Sequence, residues 1–277
     1  MVEVTGQAAP LLRRASRRAL LGAAAAGVGG LVIAATLNEA DAATLVSHNE
    51  IGGQPTYYHN LETDGITRQG FSFDPTFYSR VETWFAFWRL NTPDHWTAPH
   101  RICLNGVYVN KAGAHGQGRA MDLGRLDFTN TQVGGLVRGF DGRHNVWKSQ
   151  TGSALTNTRR LYWGTVASLV YHFRDVLHYA YNAEHDNHAH ADNSVSGSGN
   201  SNLVTSSVAQ TTFVQSSLTY VWGYGTSVDG SWGPQTDGNA RRALTRIGLS
   251  GALTTSQSNW LAYCRATFRF AVGKQSY

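Results

Sequence analysis

The chain has 277 residues, is 42% hydrophobic and carries a formal charge of +5, which excludes a disordered polyelectrolyte and allows one good-sized core plus a smaller unit. Only residues 1–42 hold an apolar run long enough to approach a membrane span, and that run is rich in Ala and Gly. Two cysteines, Cys103 and Cys264, are too few and too far apart for a cysteine metal site.

In chain order, "RRASRRALLGAAAAGVGGLVIAATLNEADAA" reads as an export signal, with a basic start, a weakly apolar run and an A-x-A cleavage pattern at Ala40 and Ala42. The paired Arg17 and Arg18 in "SRRALL" have the form of a twin-arginine address, so the mature chain is expected outside the cell or at its wall, with no stable membrane insertion. A single membrane anchor is the competing interpretation of the same run. Four arginines and three acids fall within residues 1–42, leaving a mature charge of +4. That mild excess suits an acidic cell wall as well as it suits nucleic acid. In an exported chain the cysteines are expected to form a disulfide joining the two halves, with two buried free thiols as the alternative.

The segment 77–90 and the longer 158–181 are predicted helical. In the latter, Leu161, Val166, Leu169, Val170, Phe173 and Leu177 recur at three- and four-residue intervals. Residues 102–110 alternate like a strand, and "HAHAD" (188–192) follows the long helix with period two. The composition then breaks at "NSVSGSGNSN", which reads as a linker over 194–207 between a first domain, 43–193, and a second, 208–277.

Two motifs carry the chemistry. "HGQGRAMDLG" places His115 and Asp122 seven positions apart, with small residues at Gly118 and Ala120 that let the chain turn tightly into a strand. "EHDNHAHADN" packs three imidazoles and three carboxylates into ten residues, and strand periodicity sends His188, His190 and Asp192 to one face. His115, Asp122 and one histidine of the pair make the three protein ligands typical of a catalytic zinc site.

The combination H-x-x-G-x-A-x-D and H-x-H resembles the zinc peptidases of the D-alanyl-D-alanine carboxypeptidase group, and within it the extensin-like C-terminal family, over 100–125 and 160–193. The resemblance implies an α+β zinc peptidase domain, with helices packed on a small antiparallel sheet. It implies His115, Asp122 and His190 as ligands to Zn2+ and His188 as an oxyanion or proton partner. Relatives often carry an acidic base three positions before the last ligand. Here that position is Asn187, so His185 is the preferred catalytic base, with Glu184 and Asp186 as fallbacks. Arg101 is the candidate cation for a substrate carboxylate. Residues 208–277, with Val214-Gln215, the turn "VDGSWGPQT" and a closing helix, resemble the peptidoglycan-binding type 1 domain, a small three-helix unit. The expected function is metal-assisted hydrolysis of peptide bonds in peptidoglycan, with a non-catalytic wall-binding protein as the alternative. Peptidoglycan, not nucleic acid, is the expected partner.

Overall fold

The structure is a computed structural model that describes residues 44–193 and 199–277. The expected signal peptide and the core of the expected linker lie outside the described residues. The described residues belong to one compact unit.

The chain begins with the strands β1 (Val46–His48), β2 (Glu50–Ile51), β3 (Gln54–His59), β4 (Ile66–Arg68) and β5 (Phe71–Phe73). Helix α1 (Pro75–Asn91) leads into β6 (Trp96–Gly106), β7 (Ala120–Asn130) and β8 (Leu136–Asp141). A short α2 (His144–Trp147) and the central α3 (Gly152–His172) precede β9 (Asp175–Leu177) and β10 (Ala189–Asp192). Three helices close the chain: α4 (Val208–Tyr220), α5 (Pro234–Arg246) and α6 (Gln257–Ala271).

The fold is α+β, and the described residues form six helices and a mixed sheet. Eight strands join along the path β2-β3-β6-β7-β10-β9, with β4 added to β3 and β8 to β7, while β1 pairs β5 separately. The sheet is not wholly antiparallel, because β3 and β6 run parallel. A parallel pair needs a crossover, and α1 lies within the connection that supplies it. That helix starts where Asp74 accepts a hydrogen bond from Phe77 N and Pro75 takes the first turn. Its buried face carries Phe77, Val81, Trp84, Phe85 and Trp88.

The long helix is shorter than its apolar pattern predicts. It ends at His172, and Val176 belongs to a strand paired with Ala191. Phe173 and Val176 are buried in either conformation, so periodicity could not distinguish the end of a helix from the start of a strand. From Tyr162 to Val170 every residue of α3 is buried. A helix apolar all round is packed on every side, and α3 contacts α1, β8, α4 and α6. Gly164 permits the closest approach, since a Cβ there would stand 2.6 Å from the Ala271 Cβ of α6. The core is therefore continuous from the sheet through α3 into the C-terminal helices.

In that C-terminal region Gln215 is buried and organises the turn flagged in the sequence. Its Oε1 accepts from Asp229 N at 3.1 Å and Gly230 N at 3.0 Å, while its Nε2 donates to Asp229 Oδ1 at 2.7 Å. Pro234 then opens α5, as its fixed φ favours. Cys103 in β6 and Cys264 in α6 are buried free thiols, so the expected disulfide is not formed. Each sits within its own part of the core, and burial pushes the Cys103 thiol up to about 12.

Two core histidines make stability depend on pH. Burial, with the Arg80 charge adding to it, holds His172 down to about 3, and burial holds His178 down to about 4 despite its hydrogen bond to Ala209 O. Both stay neutral in the fold, whereas the unfolded chain takes up protons near 6.5. Stability is thus complete above about 6.5 and falls as pH drops towards 4 and then 3, by about 1.4 kcal/mol per pH unit for each histidine. Urea midpoints should fall steeply on acidification, and His172→Phe should flatten that dependence; an unchanged slope would rule out His172 as a contributor.

Candidate metal centre

Three elements converge on one point. Asp122 lies on β7 directly opposite His190 on β10. His115 comes from the single turn before β7, where Gly118 adopts φ 65° and a Cβ would press to 2.8 Å from Asp74 N. Only glycine serves at such a left-handed, tightly packed position. The inserted loop thereby returns His115 to the strand that carries Asp122.

The facing atoms are close. His190 Nδ1 stands 2.9 Å from Asp122 Oδ1, and His115 Nε2 stands 3.3 Å from both Asp122 Oδ1 and His190 Nδ1. One donor atom from each residue lies within 4.8 Å of the other two, so the cluster could hold a metal ion. Donors around a tetrahedral ion bound at ~2.05 Å stand roughly 3.3 Å apart, and the observed spacing suits such an ion.

Each imidazole around this point is anchored through its other nitrogen. His115 Nδ1 donates to Val107 O at 2.6 Å, and His190 Nε2 donates to Asp192 Oδ2 at 2.9 Å. His188 Nδ1 donates to Asn187 Oδ1 at 2.7 Å, leaving Nε2 to face Asp122 Oδ1 at 3.5 Å. His185 Nδ1 donates to Asn182 Oδ1 at 2.5 Å, and its ring lies 5.1 Å from His188 and 5.8 Å from His190. Such outer hydrogen bonds select the tautomer and aim the inner lone pair.

The electrostatics follow from this geometry. Burial alone would raise the Asp122 carboxyl, but hydrogen bonds from His115 and His190 and the nearby His188 outweigh it and hold Asp122 well below the usual range. Burial pushes His190 down, whereas the Asp122 and Asp192 carboxylates hydrogen-bonded to it lift it to about 9. Burial and the neighbouring histidines push His185 down to about 4, and His188 is also lowered, chiefly by burial. His185 is therefore neutral at neutral pH and able to accept a proton, although weaker as a base than an unperturbed imidazole.

The remaining candidates lie elsewhere. Asp186 is engaged by His144 Nδ1 and by Lys148 Nζ at 3.2 Å, which draws it towards α2. Glu184 is exposed on a single turn spanning Ala183–His185 rather than on a strand. Arg101 is opposite Asp127, with Nη1 3.8 Å from Asp127 Oδ2. Asp127 is five positions beyond Asp122 on β7, roughly 16 Å away along a strand. Between them Arg125, Arg138 and Arg143 all pair with Asp64, which holds a positive φ of 61° in the turn after β3. This network, and the anchoring roles of Asn182 and Asn187, had no signature in sequence spacing.

No family model matches the chain, and neither does any curated protein or solved structure. The functional reading accordingly rests on the residues themselves.

Asn187→Ala removes the acceptor that aims His188 without touching the three candidate ligands. Metal content should persist while any hydrolytic activity falls about 10-fold or more, the scale typical of outer-sphere partners. Full activity in this variant would show that the Asn187 contact is incidental.

Proposed function

We propose that the chain is an exported zinc-dependent peptidase that hydrolyses peptide bonds in peptidoglycan stem peptides or cross-bridges. The observation that carries this reading is the convergence of His115, Asp122 and His190 donor atoms in a buried cluster with two further histidines beside it. Two imidazoles and a carboxylate form a donor set suited to catalytic zinc. When bound, zinc supplies Lewis acidity towards a water and a scissile carbonyl.

The chain's own residues divide the remaining work. His188, aimed by Asn187, faces the developing oxyanion through Nε2. His185, held by Asn182, takes a proton from water and passes it to the leaving amine. Arg101, at its distance along β6, would meet the carboxylate of an extended ligand about five residues long. The C-terminal helices supply the wall-binding surface and raise the local concentration of substrate.

A second reading is a wall-binding protein that keeps its metal and cleaves nothing. Its support is the placement of the acids near His188: Asp186 is tied to α2, Glu184 is exposed, and the base position is the amide Asn187. Zinc analysis of the chain from residue 43, together with digestion of purified peptidoglycan, separates the two readings. Wild type should carry zinc and release new amine termini, His190→Ala should do neither, and His185→Ala should keep the zinc and lose the activity. Bound zinc without new termini would establish the binding protein, and absence of both would sink both metal readings.

A further inference from the structure

We propose that the arginine-covered face formed by α3, α5 and α6 binds a linear phosphodiester polymer of the poly(glycerol phosphate) type. From residue 199 onward the chain has two acidic side chains, Asp229 and Asp237, against five arginines and Lys274. Both acids are already committed. Asp229 is held by Gln215, and Asp237 pairs with Arg241 at 2.7 Å.

Two of the other arginines, Arg242 and Arg246, sit on aromatic rings instead. Arg242 lies 4.1 Å from the Tyr224 ring centroid, and Arg246 lies 5.9 Å from Trp222 and 5.0 Å from Phe270. From α3, Arg160 reaches the same Phe270 ring at 5.7 Å, and Arg159 covers Tyr220 at 4.8 Å. None of these four pairs with an Asp or Glu side chain among the described residues. The rings themselves are linked, Trp222 lying 6.5 Å from Tyr224 and 5.2 Å from Phe270. Arg242, Arg246 and Arg160 are therefore strung along a contiguous aromatic strip, and Arg159, adjacent to Arg160 on α3, adds a fourth charge over its own ring, Tyr220.

This arrangement has two physical consequences. A guanidinium resting on a ring is already ordered, so less freedom is lost when it meets an anion. Arg160 and Arg246 share one ring, so positive charge accumulates around Phe270 and the local field favours an anion there. Because the charges form a strip, a single small anion meets only part of it, whereas a chain with one phosphate per repeat meets them in succession.

The same strip disfavours single-stranded nucleic acid. Binding of that class draws on open aromatic faces for base stacking. Here Trp222 is 3% exposed, Tyr224 is 8% exposed, and both lie beneath arginines. The half-buried Tyr220 and Phe270 likewise carry arginines, so the face offers charge in place of open ring faces. This inference is independent of the metal centre and holds whether or not the chain is a peptidase.

The test is titration of the full chain from residue 43 with purified poly(glycerol phosphate), with single-stranded DNA as competitor. Arg160 and Arg246 also donate to the main-chain oxygens of Phe270 and Tyr277, so the informative variant is Arg159→Gln with Arg242→Gln, neither of which makes such a bond. If four arginines each meet a phosphate, affinity should fall about 50-fold between about 50 and about 200 mM salt, at a slope of roughly 0.7 per contact. The double Gln variant should bind roughly 10-fold more weakly, with a slope reduced by about 1.4, while Arg159→Lys with Arg242→Lys retains most of the binding. Unchanged melting temperature in the Gln variant establishes that the fold is intact. Absence of binding at low salt, equal binding by a folded Gln variant, or displacement by DNA at lower concentration than the polymer would each overturn the proposal.

Discussion

Asp122→Asn is expected to lose bound zinc and to lower peptide hydrolysis by about 10³- to 10⁴-fold, the equivalent of ~5 kcal/mol of Lewis-acid stabilisation at tenfold per 1.36 kcal/mol. The substitution keeps the side chain's shape but removes the charge that three histidines face at 2.9 to 3.5 Å. A neutral amide oxygen is a far weaker ligand for a divalent cation. It also cannot compensate the imidazolium form of His190, which depends on carboxylates at both ring nitrogens. Metal analysis and hydrolysis should therefore fail together, while the melting temperature of the metal-free protein changes comparatively little. Zinc retained at full stoichiometry would remove Asp122 from the ligand set. Activity retained without zinc would remove metal-assisted hydrolysis altogether.

Trp163→Ala is expected to cost about 3 to 5 kcal/mol, the range for truncating a fully buried large aromatic. Trp163 lies on α3 where the sheet-bearing part meets the C-terminal helices. Its Nε1 donates to Tyr179 Oη at 2.9 Å, and its ring meets His178 edge-on at 4.8 Å and Phe213 of α4 at 6.5 Å. The hole left by alanine would be bounded by both parts, so neither can close it alone. In a unit of this size the melting temperature should fall by about 10 °C. Fluorescence and far-ultraviolet circular dichroism should report one coincident transition, because the apolar core runs through α3 without a break. Two separated transitions would show instead that residues 208–277 fold independently.

Much of the site was legible because its logic is local. The seven-position step from His115 to Asp122, with Gly118 at the turn, and period two in "HAHAD" pointed to His115, Asp122 and one histidine of the pair, the resemblance singled out His190, and the fold brings these three together. The anchoring amides were not legible: Asn182 acts as the cap of a single turn that no periodicity encodes, and Asn187 read only as a missing acid. Long-range facts were equally hidden. The parallel pairing of β3 with β6 depends on a crossover through α1, and the charge network around Asp64 unites side chains up to 79 positions apart. The end of α3 was misjudged for a different reason. Phe173 and Val176 satisfy a helical stripe and a buried strand alike, and strand pairing with β10 decided the outcome.

The sheet's margins bear on how the protein behaves at high concentration. Its main path ends in β2, two residues long, and β9, three residues long, and the appended β4 is also only three. Open strand edges invite pairing with another chain, and brevity is one of the commonest defences against it. The longer appended strand, β8, carries Arg138 and Asp141, whose charges are locked into ion pairs across the sheet face. A stray strand would therefore find little length on which to dock, which favours a protein that stays dispersed at high concentration.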